Sequence, residues 1–360
     1  MIKKLNFIII ISSMVLLIGC GNKNLPINSG NSNTETGSGT EVTDKNGSYS
    51  INDFYPFKEN VSYVYEGKGM EYASFTINVD YIKDNRIQIR KNNGGTETVS
   101  VIEKKDGQLL TILSKNECYY RENFLSKIEN QSSILLKEPI VKGTSWILPD
   151  GRKRYISNVD MEVITNAGNF KAIEVTTEES NGTTVDYYGI NVGLIKTIYK
   201  IGDTEVSSSL SKIQKDSPLV QNVRFYYPDI DKDKLYYTNK DLSFNTNDIT
   251  KIYFENEFKK SPNENLGKLI GPNVKINSLY LNDDGSVYMD FSENFVEEMN
   301  AGSGYENMIL QSITNTIGNY YGVDNVYITI AGNPYSSGHI IKEKGEFFKV
   351  NISNSVELLE

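Results

Sequence analysis

Short runs in which apolar and polar residues alternate fill the chain between about residues 48 and 215. Phe75, Ile77 and Val79 alternate with polar neighbours, and the same pattern recurs in "NRIQIRK", "TVSVIEK" and "GLIKTIY". Turn signals such as Asn181-Gly182 separate the runs, and alternation between such turns is typical of antiparallel strands. Residues 48–215 are therefore predicted to form an antiparallel β domain.

The chain begins with "MIKKLNFIIIISSMVLLIGCG", in which two lysines precede an apolar run. That run is too short to span a membrane comfortably, and the arrangement is typical of a secretory signal. Its end, Leu17-Ile18-Gly19-Cys20, resembles the bacterial lipobox, in which the cysteine receives a diacylglycerol group and becomes the first residue after cleavage. We therefore expect residues 1–19 to be a lipoprotein signal peptide and Cys20 to anchor the protein to the outer face of the cell membrane. An ordinary signal or an uncleaved anchor is the alternative.

Residues 20–47 are rich in Asn, Ser, Thr and Gly and almost lack large apolar side chains. Such a composition predicts a disordered tether. Treated as a flexible coil, it has a mean reach of about 30 Å. The folded part is expected to stand clear of the lipid surface.

The chain is acidic, with 46 acidic against 37 basic side chains and a net charge of −9, which becomes −11 without Lys3 and Lys4. An acidic protein repels nucleic acid and anionic lipid, so nucleic-acid binding is not expected. Cys20 and Cys118 are the only cysteines, so lipidation of Cys20 would leave no disulfide and no cysteine metal site. Cys118 is interpreted as a small core residue rather than a reactive thiol.

The residue inventory argues against an enzyme and a cofactor. His339 is the one histidine, close to Ser336 and Ser337, and its loop sequence favours a turn over a catalytic arrangement. Neither a GxSxG elbow nor a P-loop motif is present, and one histidine cannot provide zinc-type spacing. We predict no catalytic residue and no metal site. A glycosidase that needs only two carboxylates remains an open alternative.

An acidic turn follows the first strand of the second region. Asp229, Asp231 and Asp233 suggest calcium, but an EF-hand loop would need Gly and Glu where Lys234 and Lys240 stand. A solvated turn is favoured.

In the second half of the chain, segments with the residue spacing of helices alternate with segments with the residue spacing of strands. Asn247 is predicted to cap a helix that carries Glu255 and Glu257 about 200° apart, both in solvent. Asp284-Gly285 is predicted to be a hairpin turn. Asp290 would then point away from the strand's apolar face.

Further helix signals follow that hairpin. Ser292 is interpreted as an N-cap, with Glu293 in the first helical turn. Ser303 and Glu306 are predicted to form a capping box, and Gly322 a C-cap. A last strand follows, so residues 216–340 are predicted to be an α+β domain of order β-β-α-β-β-α-β, and residues 341–360 a tail or edge strand.

The succession "VRFYYPD", a helix, "LIGPNVKINSLYLNDDGSVYMDFSENF", a long helix and "VDNVYITIAGNPYSSGHI" resembles the GerMN domain of bacterial sporulation and germination lipoproteins. The most specific parts are Asp290-Phe291-Ser292, Gly271-Pro272 and "VYITIAGNPY". The resemblance implies a relative of the ring-building motif and a role in envelope assembly or transenvelope complexes. It implies no catalytic residues. Unlike the doubled sporulation lipoprotein, this chain has one such domain behind an unrelated β domain.

These observations predict a non-enzymatic extracytoplasmic lipoprotein that binds the membrane through its anchor and contacts a protein partner or a second copy. The resemblance implies a role in sporulation or germination, and the abundance of Asn, Lys, Ile and Tyr favours a Gram-positive source with an AT-rich genome. The alternative is a receptor whose β domain captures glycan or peptide around Trp146, although aromatic burial favours a core position for that residue. No ligand-binding residue is defined by the sequence, but tyrosines are frequent in this domain: Tyr63, Tyr65, Tyr119, Tyr120, Tyr187 and Tyr188.

Overall fold

A computed structural model describes residues 49–128 and 132–359 of the chain, which belong to one compact unit. The expected signal peptide, Cys20 and nearly all of the tether lie outside the described residues. No helix in the described ranges is long and apolar enough to cross a membrane.

The first domain is a single twelve-stranded sheet, preceded by the short helix α1 (Ile51–Phe54). Every neighbouring pair of strands is antiparallel, which confirms the predicted antiparallel β domain. A 3₁₀ turn, Glu71–Ala73, lies between the first two strands. The strands are β1 (Val61–Lys68), β2 (Phe75–Lys83), β3 (Arg86–Asn92), β4 (Glu97–Lys105), β5 (Gln108–Asn116), β6 (Ser133–Lys137), β7 (Ser145–Ile147), β8 (Lys153–Thr165), β9 (Gly168–Glu178), β10 (Gly182–Gly189), β11 (Gly193–Ile201) and β12 (Thr204–Lys215).

The strand order places β1 beside β12 in the middle of the sheet, so that β6 and β7 form its two edges. Side chains rather than a strand ladder join these edges. Trp146 donates its Nε1–H to the carbonyl of Ile134 at 3.0 Å, and Arg154 Nε donates to the carbonyl of Leu135 at 3.2 Å. The sheet therefore curls until it is nearly closed.

Tight turns make this meander possible. Between β4 and β5, Asp106 and Gly107 both have positive φ, +49° and +67°. A two-residue turn with two positive φ angles matches the right-handed twist of adjacent strands. The β4–β5 register then continues over most of both strands.

The second domain contains two small sheets and three helices, in agreement with the predicted α+β class. One sheet has the order β13-β14-β20 and the other β15-β16-β17-β18, with β19 also paired to β17. The elements are β13 (Leu219–Asp229), β14 (Lys234–Phe244), α2 (Thr250–Phe258), β15 (Ile276–Leu281), β16 (Val287–Phe291), α3 (Phe295–Met299), α4 (Ser303–Tyr321), β17 (Asn325–Ile330), β18 (Asn333–Pro334), β19 (Phe348–Lys349) and β20 (Ser355–Glu357).

The C-terminal residues add short edge strands to both sheets: β19 lies antiparallel to β17, and β20 lies parallel to β14. The local pattern suggested one small sheet. In the structure, β13 and β14 pair with each other and with β20 but not with β15, so the strands divide between two sheets.

Several predicted helix caps are wrong in detail. Helix α2 begins at Thr250 after Ile249, and Asn247 instead accepts a hydrogen bond from the backbone N–H of Ile82 in the first domain, at 2.8 Å. Helix α3 begins after Asn294, so Ser292 and Glu293 precede it. Ser292 instead accepts the backbone N–H of Lys275 at 2.8 Å.

The predicted capping box is also wrong, because α4 already includes Ser303 and its N-cap is Gly302. Glu306 is buried within the domain. Gly322 ends α4 in the left-handed conformation with φ +69°, and Asp284-Gly285 forms the predicted turn with φ +78° at Gly285.

The two domains share one apolar core. Val99 and Val101 on β4 belong to the same buried cluster as Phe225, Phe254 and other side chains of the second domain. The opposite face of β4 packs inside the curled sheet, where Ile102 joins a second cluster. Strands of the first domain therefore have two buried faces.

Candidate functional site

The histidine and its neighbouring serines do not form a catalytic pair. Ser337 donates its hydroxyl to Glu306 Oε1 at 2.6 Å, and Tyr335 donates to the same oxygen at 2.6 Å. His339 reaches Ser337 only through its backbone N–H, at 3.1 Å, and Ser336 forms a backbone bridge with Ile341. This arrangement holds a turn against a buried carboxylate, and the hydrogen bond between His339 and Ser337 comes from the backbone and not from the imidazole ring.

In the acidic turn after β13, an aspartate is paired with a lysine of the same turn. The carboxylate of Asp229 accepts the backbone N–H of Lys232 and lies 3.1 Å from the Lys232 ammonium, whose hydrogen bond lowers the pKa of Asp229. Asp231 and Asp233 are exposed. Within residues 49–128 and 132–359, no group of three or more His, Cys, Asp or Glu side chains is arranged to hold a metal ion.

Asp290 and Ser292 fix the backbone rather than provide chemistry. Asp290 accepts hydrogen bonds from the Thr329 hydroxyl at 2.6 Å and from the backbone N–H of Gly332 and the Asn277 amide, both at 2.8 Å. Ser292 accepts the backbone N–H of Lys275 at 2.8 Å. These contacts tie together the ends of three neighbouring strands, β15, β16 and β17.

Gly271 has a packing role of its own. A Cβ atom at this position would lie 2.2 Å from Glu298 Oε2 and 2.4 Å from Glu298 Cβ, so only glycine fits without rearrangement. The same Glu298 oxygen accepts the backbone N–H of Asn273 at 3.0 Å. The glycine therefore lets a short loop pack directly on α3.

Helix α2 carries a buried glutamate that the sequence pattern placed in solvent. Glu255 is 6% exposed and forms ion pairs with Lys259 at 2.7 Å and Lys275 at 3.0 Å. Its second oxygen accepts the backbone N–H of Ile276 at 2.9 Å. Helical periodicity correctly separated Glu255 from Glu257, but it could not show that β15 would cover the first of them.

An aromatic row crosses the outer face of the second sheet of the second domain. Tyr280 on β15 pairs in register with Tyr288 on β16, which pairs with Tyr327 on β17. The ring centroids of successive tyrosines are 5.7 and 5.0 Å apart, and Phe347 lies 5.7 Å from Tyr327. We call Tyr280, Tyr288, Tyr327 and Phe347 the tyrosine row.

The tyrosine row lies opposite the core. On β16, Val287 and Met289 are buried while Tyr288 between them is not, and Tyr280 is 40% exposed. Tyr288 donates its hydroxyl to Asp284 at 3.0 Å, a hydrogen bond that raises the pKa of Tyr288. Tyr327 is only 8% exposed, so the accessible part of the row consists of Tyr288 and Phe347, which are partly exposed, and of Tyr280 at its open end.

At that end the row meets a groove of about 520 Å³ between the two domains. The groove is lined by residues of both domains, among them Ile82, Leu125, Ile249 and Tyr280. Ile249 is 53% exposed. Aromatic and aliphatic surface therefore continues from the second domain onto the first.

A buried polar network fixes the relative position of the domains. Arg121 is fully buried and donates to the Tyr81 hydroxyl at 2.7 Å and the Asp80 carbonyl at 2.8 Å, both in the first domain. It also donates to the Asn245 carbonyl at 3.1 Å, and its backbone N–H donates to the Tyr320 hydroxyl at 2.8 Å, both in the second. One guanidinium thus joins strands of both domains.

Trp146 is 5% exposed and, as favoured, is a core residue; it cannot serve as an open stacking platform.

Of the tyrosines noted in the first domain, Tyr63, Tyr65 and Tyr188 line a cavity of about 260 Å³ inside the curled sheet, which we call the inner cavity. No sequence signal marks this cavity, because it arises from the curvature of the sheet.

Cys118 is buried, and its burial raises the pKa of the thiol.

The sequence profile of the family described as "Germane: Sporulation and spore germination" matches residues 224–336. This range covers the tyrosines of the row and the tight Asp290 and Gly271 contacts, but not Phe347 or the first domain. The family description names a cellular process and no reaction. Among curated proteins none matches the chain.

Comparison with solved structures finds weak likenesses. The first GerMN domain of the sporulation protein GerM from Bacillus subtilis is 18% identical over 32% of this chain and 86% of its own, with a TM-score of 0.24. The tandem GerMN domains of the same protein are 21% identical over 38% of this chain and 48% of their own, with a TM-score of 0.27. A candidate lipoprotein from Parabacteroides distasonis is 11% identical over 45% of this chain and 98% of its own, with a TM-score of 0.28. TM-scores this low support no argument.

The family match falls on the α+β domain at the place where the sequence resemblance was found, with the two strands, the helix, the hairpin and the long helix in the expected order. This chain is therefore a GerMN-containing protein, and residues 224–336 are its GerMN domain.

Proposed function

We propose that this protein is a non-enzymatic envelope protein, anchored by a lipid on Cys20, whose GerMN domain binds another envelope protein. The tyrosine row carries the proposal. It places three tyrosines on one face of a domain whose family is described by sporulation and germination, two of them accessible, beside Phe347 of the C-terminal segment.

Aromatic rings suit a protein interface because they supply large contact area with few rotatable bonds. Tyrosine is also among the residues most enriched at binding hot spots. In the row, cross-strand register and the Tyr288–Asp284 hydrogen bond already hold the rings, so a partner loses little side-chain entropy by binding there.

The adjoining groove extends this surface onto the first domain. A partner that packs on Tyr280 can also contact Ile249 and the partly exposed Ile82 of the first domain without any movement of the domains. This gives the first domain a role in the interface, since the Arg121 network holds its side of the groove in place.

Site-specific crosslinking in cells of the natural host tests the docking surface. A photoreactive phenylalanine analogue at Tyr280 is expected to give one recurrent adduct with an envelope protein, identified by mass spectrometry. The same analogue at Tyr72, a tyrosine of the first domain that is 48% exposed, is the control and should not give that adduct.

The outcomes separate the alternatives. An adduct with a second copy of this chain would identify the row as a self-association surface instead. No specific adduct at Tyr280 would contradict the docking proposal. Replacing Tyr280 and Tyr288 together by serine should abolish co-purification of the partner, whereas Tyr72→Ser should leave it unchanged.

The lipid anchor is tested separately. Cys20→Ser should prevent incorporation of an alkyne-labelled fatty acid and move the protein from the detergent phase to the aqueous phase on phase separation. Labelling that persists in the Cys20→Ser protein would contradict lipidation of this residue.

We also propose a role in sporulation or germination, which rests on the family description alone. A deletion strain is expected to form fewer heat-resistant spores, or spores that germinate more slowly, and the wild-type gene should restore both. Unchanged spore yield and germination rate would restrict the protein to a role in the vegetative envelope.

A further inference from the structure

The inner cavity is lined by strands from both halves of the curled sheet and by the segment after α1, and it opens to solvent beside Lys58. Its walls are mainly apolar, with Ile77, Val79, Ile87, Ile89, Ile102 and Leu194 among the lining side chains. These residues lie in register across neighbouring strands: Val79 pairs with Ile89, and Ile87 pairs with Ile102. The cavity is therefore a continuous apolar surface built by one face of the sheet.

A void of this size is unusual in a folded protein. Protein interiors are close-packed, and an apolar cavity of roughly 150 Å³ is already large enough to stay dry and bind benzene. The inner cavity has a volume of about 260 Å³. It is thus large enough for an apolar ligand longer than a single ring.

The acidic group of the cavity wall is already engaged. Asp186 accepts hydrogen bonds from Arg154 at 2.8 Å and from Thr197 at 2.6 Å, and Tyr65 donates to the Leu194 carbonyl at 2.7 Å. The hydroxyls of Tyr55, Tyr63, Ser100 and Thr111 also line the cavity, but aliphatic side chains form most of its wall. A mainly aliphatic wall disfavours a glycan, whose hydroxyls would lose their hydrogen bonds to water.

Lys58 is the one basic residue among the described residues that line the cavity, and the one acidic residue there, Asp186, is already paired with Arg154. Lys58 lines the cavity and is exposed to solvent. Desolvation lowers the pKa of Lys58, and repulsion by the nearby Lys215 lowers it further. Tyr63 also lines the cavity, and burial raises its pKa to about 12, so its hydroxyl stays neutral and can donate a hydrogen bond.

We propose that the inner cavity binds the acyl chain of an anionic single-chain amphiphile, with its carboxylate or phosphate head beside Lys58. A fatty acid and a lysophospholipid share this chemistry. An apolar tail fits the isoleucine walls, and the anionic head meets the Lys58 ammonium, which lines the cavity and is exposed to solvent.

The test uses residues 21–360, which contain the whole compact unit, and isothermal titration with ligands below their micelle concentrations. Octanoate, decanoate and dodecanoate show how the affinity depends on the length of the tail. Decanol and decyltrimethylammonium show how it depends on the charge of the head group. Each added methylene should tighten Kd about fourfold until the cavity is full, which corresponds to about 0.8 kcal/mol. Decanoate should bind more tightly than decanol and much more tightly than the cationic analogue. A decanoyl lysophospholipid distinguishes the two sources, since whichever binds more tightly identifies the natural head group.

Two matched variants locate the site. Thr111 lines the cavity, so Thr111→Phe fills it and should weaken decanoate binding by more than tenfold. Thr204 is exposed at the start of β12, so Thr204→Phe adds the same ring elsewhere and should change nothing. Ser100→Leu, a smaller addition to the cavity wall, replaces Thr111→Phe if circular dichroism shows that variant to be unfolded. Lys58→Gln should weaken decanoate severalfold and leave decanol unchanged.

Three results would overturn the proposal. These are absence of binding by both decanoate and decanol, equal binding of decanoate by the Thr111→Phe and Thr204→Phe proteins, and equal binding of the anionic and cationic ligands. None of them bears on the tyrosine row, which lies in the other domain.

Discussion

In the GerMN domain, short polar side chains act mainly by fixing the local backbone conformation, and less by giving the surface a particular chemistry. Asp290 accepts three hydrogen bonds, one of them from the backbone N–H of Gly332, just after Ala331 takes a φ of +49°. A non-glycine residue rarely adopts that conformation without support from its surroundings. The Asp290 carboxylate therefore holds a turn.

Glu255 gives a residue-scale prediction with a pH dependence. Burial alone would raise its pKa, but hydrogen bonds from Lys259, the Ile276 N–H and Lys275 outweigh that effect and lower it. A carboxylate with a lowered pKa stabilises the fold above its unfolded pKa of about 4.3, and this contribution is lost as the pH falls through the folded pKa. Glu255→Gln should lower the free energy of unfolding at pH 7 by about 1–3 kcal/mol.

Urea denaturation between pH 7 and pH 3 measures this effect. The difference between wild type and Glu255→Gln should shrink as the pH falls below about 5. The matched control is Glu264→Gln, at an exposed position, which should cost less than about 0.5 kcal/mol. A difference that is constant across the pH range would show that lost packing, not the charge, is responsible.

Cys118 gives a second prediction at this scale. The thiol is fully buried and its pKa is raised by burial, so the reactive thiolate is scarce in the folded protein. In the chain that lacks Cys20, a thiol reagent at pH 8 should label nothing in native buffer and one thiol in denaturant. Rapid labelling of the folded protein would mean that Cys118 is accessible by local opening.

At the scale of elements, the most demanding feature is the junction between the edges β6 and β7. An exposed sheet edge is open to pairing with other chains, and proteins usually cover or blunt it. Here Trp146 and Arg154 reach across to the carbonyls of Ile134 and Leu135. Two side chains thus substitute for part of a strand ladder.

Trp146→Phe tests this junction. The substitution removes the Nε1–H donor and some buried volume, which leaves the Ile134 carbonyl without that partner and should destabilise the protein by about 2–4 kcal/mol. Amide hydrogen exchange should rise in β6 and β7 first, because these are the edges the side chain joins. Tyr155→Phe, on the neighbouring strand β8, keeps the ring and is the control. Unchanged exchange in β6 would show that the junction does not depend on the indole.

On the scale of the whole molecule, sequence patterns predicted the elements but not their closure. The alternation of Phe75, Ile77 and Val79 is a local signal, and it correctly predicted a strand. On β4, by contrast, Val99 and Val101 face the second domain while Ser100 and Ile102 face the first domain's interior. The alternation of residues along one strand cannot show that its two faces are buried in different cores. The shared core and the inner cavity therefore could not be predicted from the sequence. The tyrosine row was not predicted for a similar reason, because predicting it requires the register of three strands.

The shared core leads to a prediction about cooperativity. "SSLSKIQKDSPLVQN" looks like a connection that permits independent motion, yet Arg121 and the common apolar cluster join the two domains. We therefore expect both domains to unfold in one transition. Two probes can report them separately, because the only tryptophan, Trp146, lies in the first domain and the long helix α4 lies in the second. In guanidinium, tryptophan fluorescence and helical circular dichroism should have the same midpoint.

Arg121→Ala should break this coupling. Removing the buried guanidinium leaves Asp80 with Arg90 as its remaining ion-pair partner and several carbonyls without donors, a change that typically costs about 3–5 kcal/mol. Because the lost bonds cross the interface, the two midpoints should separate, with the first domain retaining the apolar clusters inside its curled sheet. Arg224→Ala is the control, since Arg224 contacts Asn239 and Tyr237 within the second domain and should leave the midpoints together. Two separate midpoints in the wild-type protein would contradict a shared core, and coincident midpoints in Arg121→Ala would assign the coupling to the apolar cluster alone.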